Sequence, residues 1–294
     1  MAKPAADRFI STQDWLEPLG DLEQRVVGGA YGALGRPGRW LKDVAHGTWP
    51  LNHPLHPAVV AVPLGAWVVG VIADYAALVN RSIPTQIGDF ALVIGLLGAL
   101  VAAWSGLTDH HETVDMERRV ATLHGLLMTL AITVDLVSLL LRWFAGSGLH
   151  GPAVALATAG LLVALVGGYL GGHLTFAYGT AVNRNAFTEP VSDWTAIGAP
   201  GEFAEGTVRA VTAGSVALLV VRRDGRLMAI ADTCSHAGGP LHEGTLEGED
   251  IVCPWHGSRF CLRDGSVRGG PATMPVPSYE LREVEGRLEA RAAD

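Results

Sequence analysis

Four residues near the C-terminal end have the types and spacing of a metal-binding set. Cys234-x-His236 is followed, after sixteen residues, by Cys253-x2-His256, so two loops each offer one thiolate and one imidazole. In one kind of [2Fe-2S] cluster, one iron keeps two Cys and the other takes two His. The same four donors also make a tetrahedral zinc set. Zinc fingers usually pair Cys with Cys and His with His along the chain, whereas each loop here mixes the two types. That order favours the two-iron arrangement, each iron drawing one ligand from each loop.

Composition limits what surrounds these residues. Of 294 residues, 49% are hydrophobic and only 17% charged, as expected of a chain partly in lipid. The net charge is -8. From Ser192 onward there are ten basic and fifteen acidic residues, a net of -5, and an acidic segment without a basic stripe is a poor nucleic-acid binder. Of the three cysteines, Cys234 and Cys253 belong to the candidate set, leaving Cys261 alone. A disulfide would have to take a ligand away, so the cysteine usage points to a reducing compartment.

The elements that must position the donors fall into two classes. Apolar runs at about 58–79, 88–108, 121–144 and 152–173 are each near the length an α-helix needs to cross a bilayer. Short turns between them imply an up-down bundle. From Trp194 onward the pattern changes to short Val- and Leu-rich runs: 208–211, 215–221 and 226–231, then 278–284 and 287–290, with turns at Asp224-Gly225 and Glu285-Gly286. Hairpins at this spacing indicate a β-domain. The expected fold class is therefore multi-domain, an all-α four-helix transmembrane bundle followed by a small all-β domain. The expected divisions are 1–45 as an N-terminal cytoplasmic segment, 46–180 as the bundle, 181–193 as a linker and 194–294 as the β-domain. The start of the chain does not read as a signal peptide, and 19–34 is weakly amphipathic, a short surface helix.

Orientation follows from the basic residues flanking the spans. Arg36, Arg39, Lys42, Arg118, Arg119 and Arg184 lie on one side, Arg81 and Arg142 on the other. The expected localisation is the cell membrane, multi-pass, with the N-terminus and the C-terminal domain cytoplasmic. In this topology His53, His56, His110, His111, His124 and His173 gather at the cytoplasmic face, with His150 opposite. His56, His124 and His173 are candidates for a haem or quinone site, His124 and His173 forming the foremost pair. Asp74 and Asp135 lie deep in the first and third spans, each followed seven residues later by an Arg, Arg81 and Arg142. This repetition hints at a duplicated two-helix unit. Such carboxylates should face the bundle interior, either on a proton path or as packing residues hydrogen-bonded near Thr133 or Ser138.

Two resemblances add to this reading. The motif Cys234-Ser-His-Ala-Gly-Gly-Pro-Leu241 with Cys253-Pro-Trp-His-Gly-Ser258 resembles a Rieske-type [2Fe-2S] ferredoxin domain. That likeness implies a small antiparallel sandwich with both ligand loops at one end, and Cys234, His236, Cys253 and His256 as the cluster and metal ligands. The Rieske proteins of respiratory complexes add a disulfide between the loops, at positions held here by Gly239 and Trp255, so the domain looks like the ferredoxin type. The resemblance also places Ser258 to donate a hydroxyl hydrogen bond toward a cluster sulfide, puts Phe260 where high-potential relatives carry a Tyr, and makes Pro271 part of a covering loop. Trp255 would shield the cluster or mark the electron's exit. A potential in the lower part of the Rieske range of about -150 to +300 mV follows. Because reduction adds negative charge, the ligand histidines should then hold protons more tightly. Separately, His46-Gly-Thr-Trp49, His53-Pro-Leu-His-Pro57 and Pro63-Leu-Gly-Ala-Trp67 resemble a bacterial, actinobacterial-type family of four-helix membrane domains of unknown function, over about residues 40–180.

Together these features imply a membrane-anchored Rieske-type protein carrying out one-electron transfer. It would act as the electron-transfer component of an oxidoreductase system rather than as a stand-alone enzyme. Its expected partners are the lipid bilayer and a redox protein, reductase or acceptor, and no nucleic acid. One alternative is a quinone-linked or haem-linked membrane oxidoreductase using the histidine face. A second is a non-redox scaffold with a structural metal site. A Rieske oxygenase would need a further mononuclear iron with a His-x4-His signature, and the chain contains none.

Overall fold

The structure is a computed structural model that describes residues 4–144 and 150–293. It divides into two compact units, residues 1–41 with 55–179, and residues 42–54 with 180–294.

The first unit is helical. Short helices α1 (Ala5–Ile10) and α2 (Leu16–Ala33) and most of α3 (Arg36–His46) precede α4 (Leu55–Val59), α5 (Ala61–Val79), α6 (Gln86–His110), α7 (Asp115–Phe144) and α8 (His150–His173). Four stretches, Leu55–Val79, Gln86–His110, Asp115–Phe144 and His150–Tyr178, are long and apolar enough to cross a membrane. What they bury is the reverse of a water-soluble core. The interior side chains include Ala91, Ala99, Ser105, Thr108, Ala131, Ser138, Ala157 and Ala164, while Ile72, Leu78, Phe90, Leu97, Leu100, Leu162, Leu165 and Val166 point outward. Small residues inside let helix backbones approach, and large apolar ones outside suit a lipid surround. Trp67, Leu92 and Leu139 are the larger members of the central contact. At one end, Ile10 and Leu16 pack against Val120, Ala121, Leu170 and Leu174. Salt bridges join α2 to α7 there: Asp21 meets Arg118 at 2.6 Å and Glu17 meets Arg119 at 2.6 Å.

The deep carboxylates face inward as expected, with different partners. Asp74 lies 2.5 Å from Arg142 of α7, which also reaches Asp89 at 3.1 Å. The cation therefore comes from another helix. Asp135 is 0% exposed and neither of its oxygens is hydrogen-bonded. The hydroxyls expected to hold it go to backbone carbonyls instead, Thr133 to Thr129 and Ser138 to Ala153.

The second unit is a β-sandwich. Strands β1 (Thr195–Gly198), β2 (Val208–Ala213), β3 (Val216–Arg223), β4 (Arg226–Ala231), β9 (Ser278–Val284) and β10 (Arg287–Ala292) form a sheet ordered β1-β10-β9-β4-β3-β2. The smaller sheet runs β5 (Thr245–Glu247), β6 (Asp250–Val252), β7 (Arg259–Cys261), β8 (Val267–Gly269). All strand pairings are antiparallel. The turns Asp224-Gly225 and Glu285-Gly286 have positive φ at both residues, the geometry of two-residue hairpins whose twist matches their strands. Leu218, Leu219, Val220, Ile230, Ile251, Phe260 and Leu288 belong to one buried core cluster.

One division differs from the expectation. Residues 42–54, expected to straddle the N-terminal segment and the bundle, belong with the β-unit. The reason is a set of polar contacts. Asp43 Oδ1 accepts from the Gly270 N–H at 2.9 Å, and the Thr48 hydroxyl donates to the carbonyls of Gly270 at 2.6 Å and Ala272 at 3.1 Å.

Candidate functional site

Two loops present the four sequence-predicted ligands, and they share one backbone design. The first follows β4. In it, the Cys234 N–H donates to Gly239 O at 2.9 Å and Gly238 N–H donates to Cys234 O at 2.9 Å. The second joins β6 to β7, where Cys253 N–H donates to Ser258 O at 2.8 Å and Gly257 N–H to Cys253 O at 3.1 Å. Each Cys thus opens and closes its own tight turn, and His236 and His256 stand on the turns.

The loops bring like donors together. Cys234 and Cys253 are both buried, with their thiols close enough to interact. The rings of His236 and His256 stand 5.0 Å apart, edge to face at 89°, each with its Nδ1 atom buried and the residue as a whole half-buried. A thiol pair beside an imidazole pair is what a cluster with one Cys-bound and one His-bound iron demands of a protein. Among the described residues no group of three or more His, Cys, Asp or Glu is gathered to hold a single ion, whereas a two-iron group asks each pair for two donors. The Cys253 thiol is lowered to about 6 by its hydrogen bond with Cys234, with burial opposing and the N–H groups of Trp255 and His256 assisting. The Cys234 thiol is pushed up by the same pairing and by burial.

Gly239 shows why the loops fit so closely. A Cβ there would lie 2.9 Å from Cys253 Sγ and 3.0 Å from Trp255 Cδ2, so a larger residue would push the second loop off the first. Trp255 itself is 55% exposed and lies edge to face with His256 at 6.4 Å. Ser258 and Phe260 are 0% exposed. The Ser258 oxygen accepts from Ala272 N–H at 3.1 Å, which leaves its own hydrogen to donate. Pro271 is buried beside Ala272.

Several supports were not visible in the sequence. Asp43 and Thr48 hold the segment at Gly270–Ala272 from more than two hundred residues away. Burial raises the pKa of Asp43, opposed by the Gly270 hydrogen bond. Asn185 donates to Thr233 O at 2.9 Å and Arg184 N–H to Ser235 O at 3.1 Å, so the stretch expected to be a plain linker fastens the first ligand loop. Asp232 holds the turn after that loop, accepting from the His242 backbone at 2.7 Å and pairing with its ring at 2.6 Å. A spacing motif records none of these long-range partners.

The membrane histidines separate into different settings. His173 is bound to Asp7 at 2.8 Å, and His110 to Thr122 at 2.9 Å. His56 and His124 come together, with ring centroids 6.1 Å apart at 87°. The expected pair of His124 with His173 is thus replaced by His124 with His56, because Asp7 engages His173.

Two stretches of the chain are similar to known families. A family model described as "Rieske [2Fe-2S] domain" matches residues 193–280, and one described as "Predicted membrane protein (DUF2231)" matches residues 52–184. Ferredoxin CarAc of Metapseudomonas resinovorans is 35% identical over 96 residues, 32% of this chain and 90% of the relative. The ferredoxin subunit of anthranilate 1,2-dioxygenase from Burkholderia cepacia is 35% identical over 99 residues, 34% of this chain and 92% of the relative. Among solved structures, the ferredoxin of carbazole 1,9a-dioxygenase from Nocardioides aromaticivorans IC177 matches with a TM-score of 0.33 at 26% identity, covering 35% of this chain and all of that one. The chain belongs to the Rieske [2Fe-2S] domain family through its C-terminal part, carried behind a membrane-protein domain of the DUF2231 family.

Proposed function

We propose that the chain is a membrane-anchored one-electron carrier whose [2Fe-2S] cluster is held by Cys234 and Cys253 on one iron and by His236 and His256 on the other. The observation that carries this reading is the sorting of donors, thiol beside thiol and ring beside ring. When bound, the cluster supplies a one-electron step between ferric and ferrous iron. The chain's residues set its conditions. The thiols sit in a buried turn closed by backbone N–H groups, Ser258 offers its hydroxyl hydrogen, and Trp255 covers the approach beside His256. The imidazoles turn Nδ1 inward, leaving Nε2 as the opposite nitrogen of each ring.

The ferredoxin relatives serve as subunits or components of dioxygenase systems. By that likeness the partners here are a reductase and an electron acceptor. The net charge of -5 on the β-unit favours partners with a basic docking face. The apolar helices supply the anchor, and the basic residues flanking them support a cytoplasmic β-unit. A redox group in the bundle is part of this reading, with His56 and His124 the side chains offered to it.

Washed membranes from an expressing strain, reduced with dithionite, should give the paramagnetic signal of a half-reduced cluster at low temperature. Cys234→Ser and His256→Ala should each remove the signal, and Trp255→Ala should keep it. A signal recovered only in the soluble fraction would refute the anchor, and a signal indifferent to both ligand substitutions would refute the site.

A further inference from the structure

The bundle is built from two copies of one helical hairpin. His56 is followed eleven residues on by Trp67 and eighteen on by Asp74, and His124 stands in the same relation to Asp135 and Arg142. On the returning helices, Gly88, Gly95, Ala102 and Gly106 answer, at the same spacings, to Ala153, Gly160, Gly167 and Gly171. Gly95-Leu-Leu-Gly-Ala-Leu-Val101 reads against Gly160-Leu-Leu-Val-Ala-Leu-Val166.

The contacts repeat with the sequence. Gly95 makes room for the Trp67 indole, and Gly160 for the Asp135 carboxyl. His56 Nδ1 lies 2.8 Å from the Ala102 carbonyl, and His124 Nδ1 lies 2.7 Å from the Gly167 carbonyl. One turn beyond each carbonyl, a glycine lies against the ring: a Cβ would come within 2.8 Å of His56 Cε1 at Gly106 and 3.2 Å of His124 Cε1 at Gly171. Repeats related by a twofold axis bring equivalent residues face to face on that axis. Two such pairs occur. Asp74 meets Arg142 toward one end of the bundle, and His56 meets His124 about 27 Å along the helices from it, at 1.5 Å per residue.

The chemistry of the histidine pair is that of two prepared metal ligands. An imidazole that gives its Nδ1–H to a carbonyl keeps its lone pair on Nε2, and such a bond is the usual support behind a ligating histidine. Among the described residues no third His, Cys, Asp or Glu joins the pair as a ligand. A bare zinc ion wants four donors. The iron of a haem already has four from its porphyrin and takes two axial ones. Two imidazoles bound at about 2 Å on opposite sides of one metal have ring centres about 6 Å apart, and here the centroids are 6.1 Å apart.

We propose that His56 and His124 are the axial ligands of a haem held on the axis of the duplicated bundle. This deepens the electron-carrier reading and rests on it for its purpose, but the two can fail separately. The test is the optical spectrum of the full-length protein, purified in detergent from cells supplied with a haem precursor, with haem quantified chemically. About one haem per chain is expected, with a six-coordinate, low-spin spectrum in both oxidation states. His56→Ala and His124→Ala should each abolish the low-spin spectrum and lower haem content at least tenfold, while His173→Ala should leave both unchanged. The paramagnetic signal of the iron–sulfur cluster, recorded on the same samples, reports that each variant has folded and judges the carrier reading independently. Wild-type protein with an intact cluster signal and no haem would overturn the proposal. So would haem retained in the His56→Ala/His124→Ala double variant, or a stoichiometric zinc or copper ion lost with His124.

Discussion

In the proposed carrier, Ser258 and Phe260 are the side chains expected to set how readily the cluster takes an electron. A hydrogen bond to a charged acceptor contributes about 1.5–3 kcal/mol, and for one electron about 1.4 kcal/mol corresponds to 59 mV. Removing the Ser258 hydroxyl should therefore lower the potential by roughly 60 mV or more, and Phe260→Tyr should raise it by adding a donor; protein-film voltammetry reads both. The four candidate ligands stood out in the sequence because each sits within a few residues of its loop partner, and the chemistry of two thiols and two imidazoles restricts the choices; the fold brings thiol to thiol and ring to ring. The histidines of the bundle were less so. His173 has its carboxylate partner at Asp7, far off in the chain, and no periodicity could have revealed that Asp7 removes it from the histidine set. The carboxylates divide in the same way. Their depth in the spans was plain from the sequence, whereas the pairing of Asp74 with Arg142 depended on which helices meet.

Elements were legible in proportion to their length. The four apolar helices announced themselves by twenty-residue hydropathy, and the longer hairpins of the large sheet by their Gly-containing turns. The strands β5 to β8 are only three residues each, too short for alternation to register, yet β6 and β7 carry the second ligand loop. The segment 42–54 was missed for another reason: its polar grip on Gly270 and Ala272 leaves no local pattern. That grip predicts an outcome. Asp43→Ala takes the acceptor away from the half-buried Gly270 N–H, at a cost of about 1 kcal/mol, so the cluster should bleach at a lower temperature in a thermal scan followed at visible wavelengths. An unshifted bleaching midpoint would mean that the segment is not needed to hold the covering loop.

At the scale of the whole molecule, a duplicated helical hairpin and a β-sandwich have been joined in one chain, and each has its own core. The buried Asp74–Arg142 pair should matter more to the bundle than any surface bridge, because removing one partner of a buried pair costs about 3–5 kcal/mol. Arg142→Ala should lower the detergent-solubilised bundle's unfolding midpoint sharply. Asp74→Asn combined with Arg142→Gln should recover much of the loss, since neither charge is then stranded. The composition made a membrane protein legible, whereas the seven-residue Asp–Arg spacing matched Asp74 with Asp135, a different register from the repeat, in which Asp74 answers to Arg142 and Trp67 to Asp135. The repeat became plain only when equivalent residues were found facing each other. The central claim, that two thiols and two imidazoles divide between two irons, is tested most directly by pulsed electron paramagnetic resonance of the reduced full-length protein. Couplings to two directly bound imidazole nitrogens are expected. A cluster signal without nitrogen coupling, or a silent sample holding one zinc per chain, would contradict it.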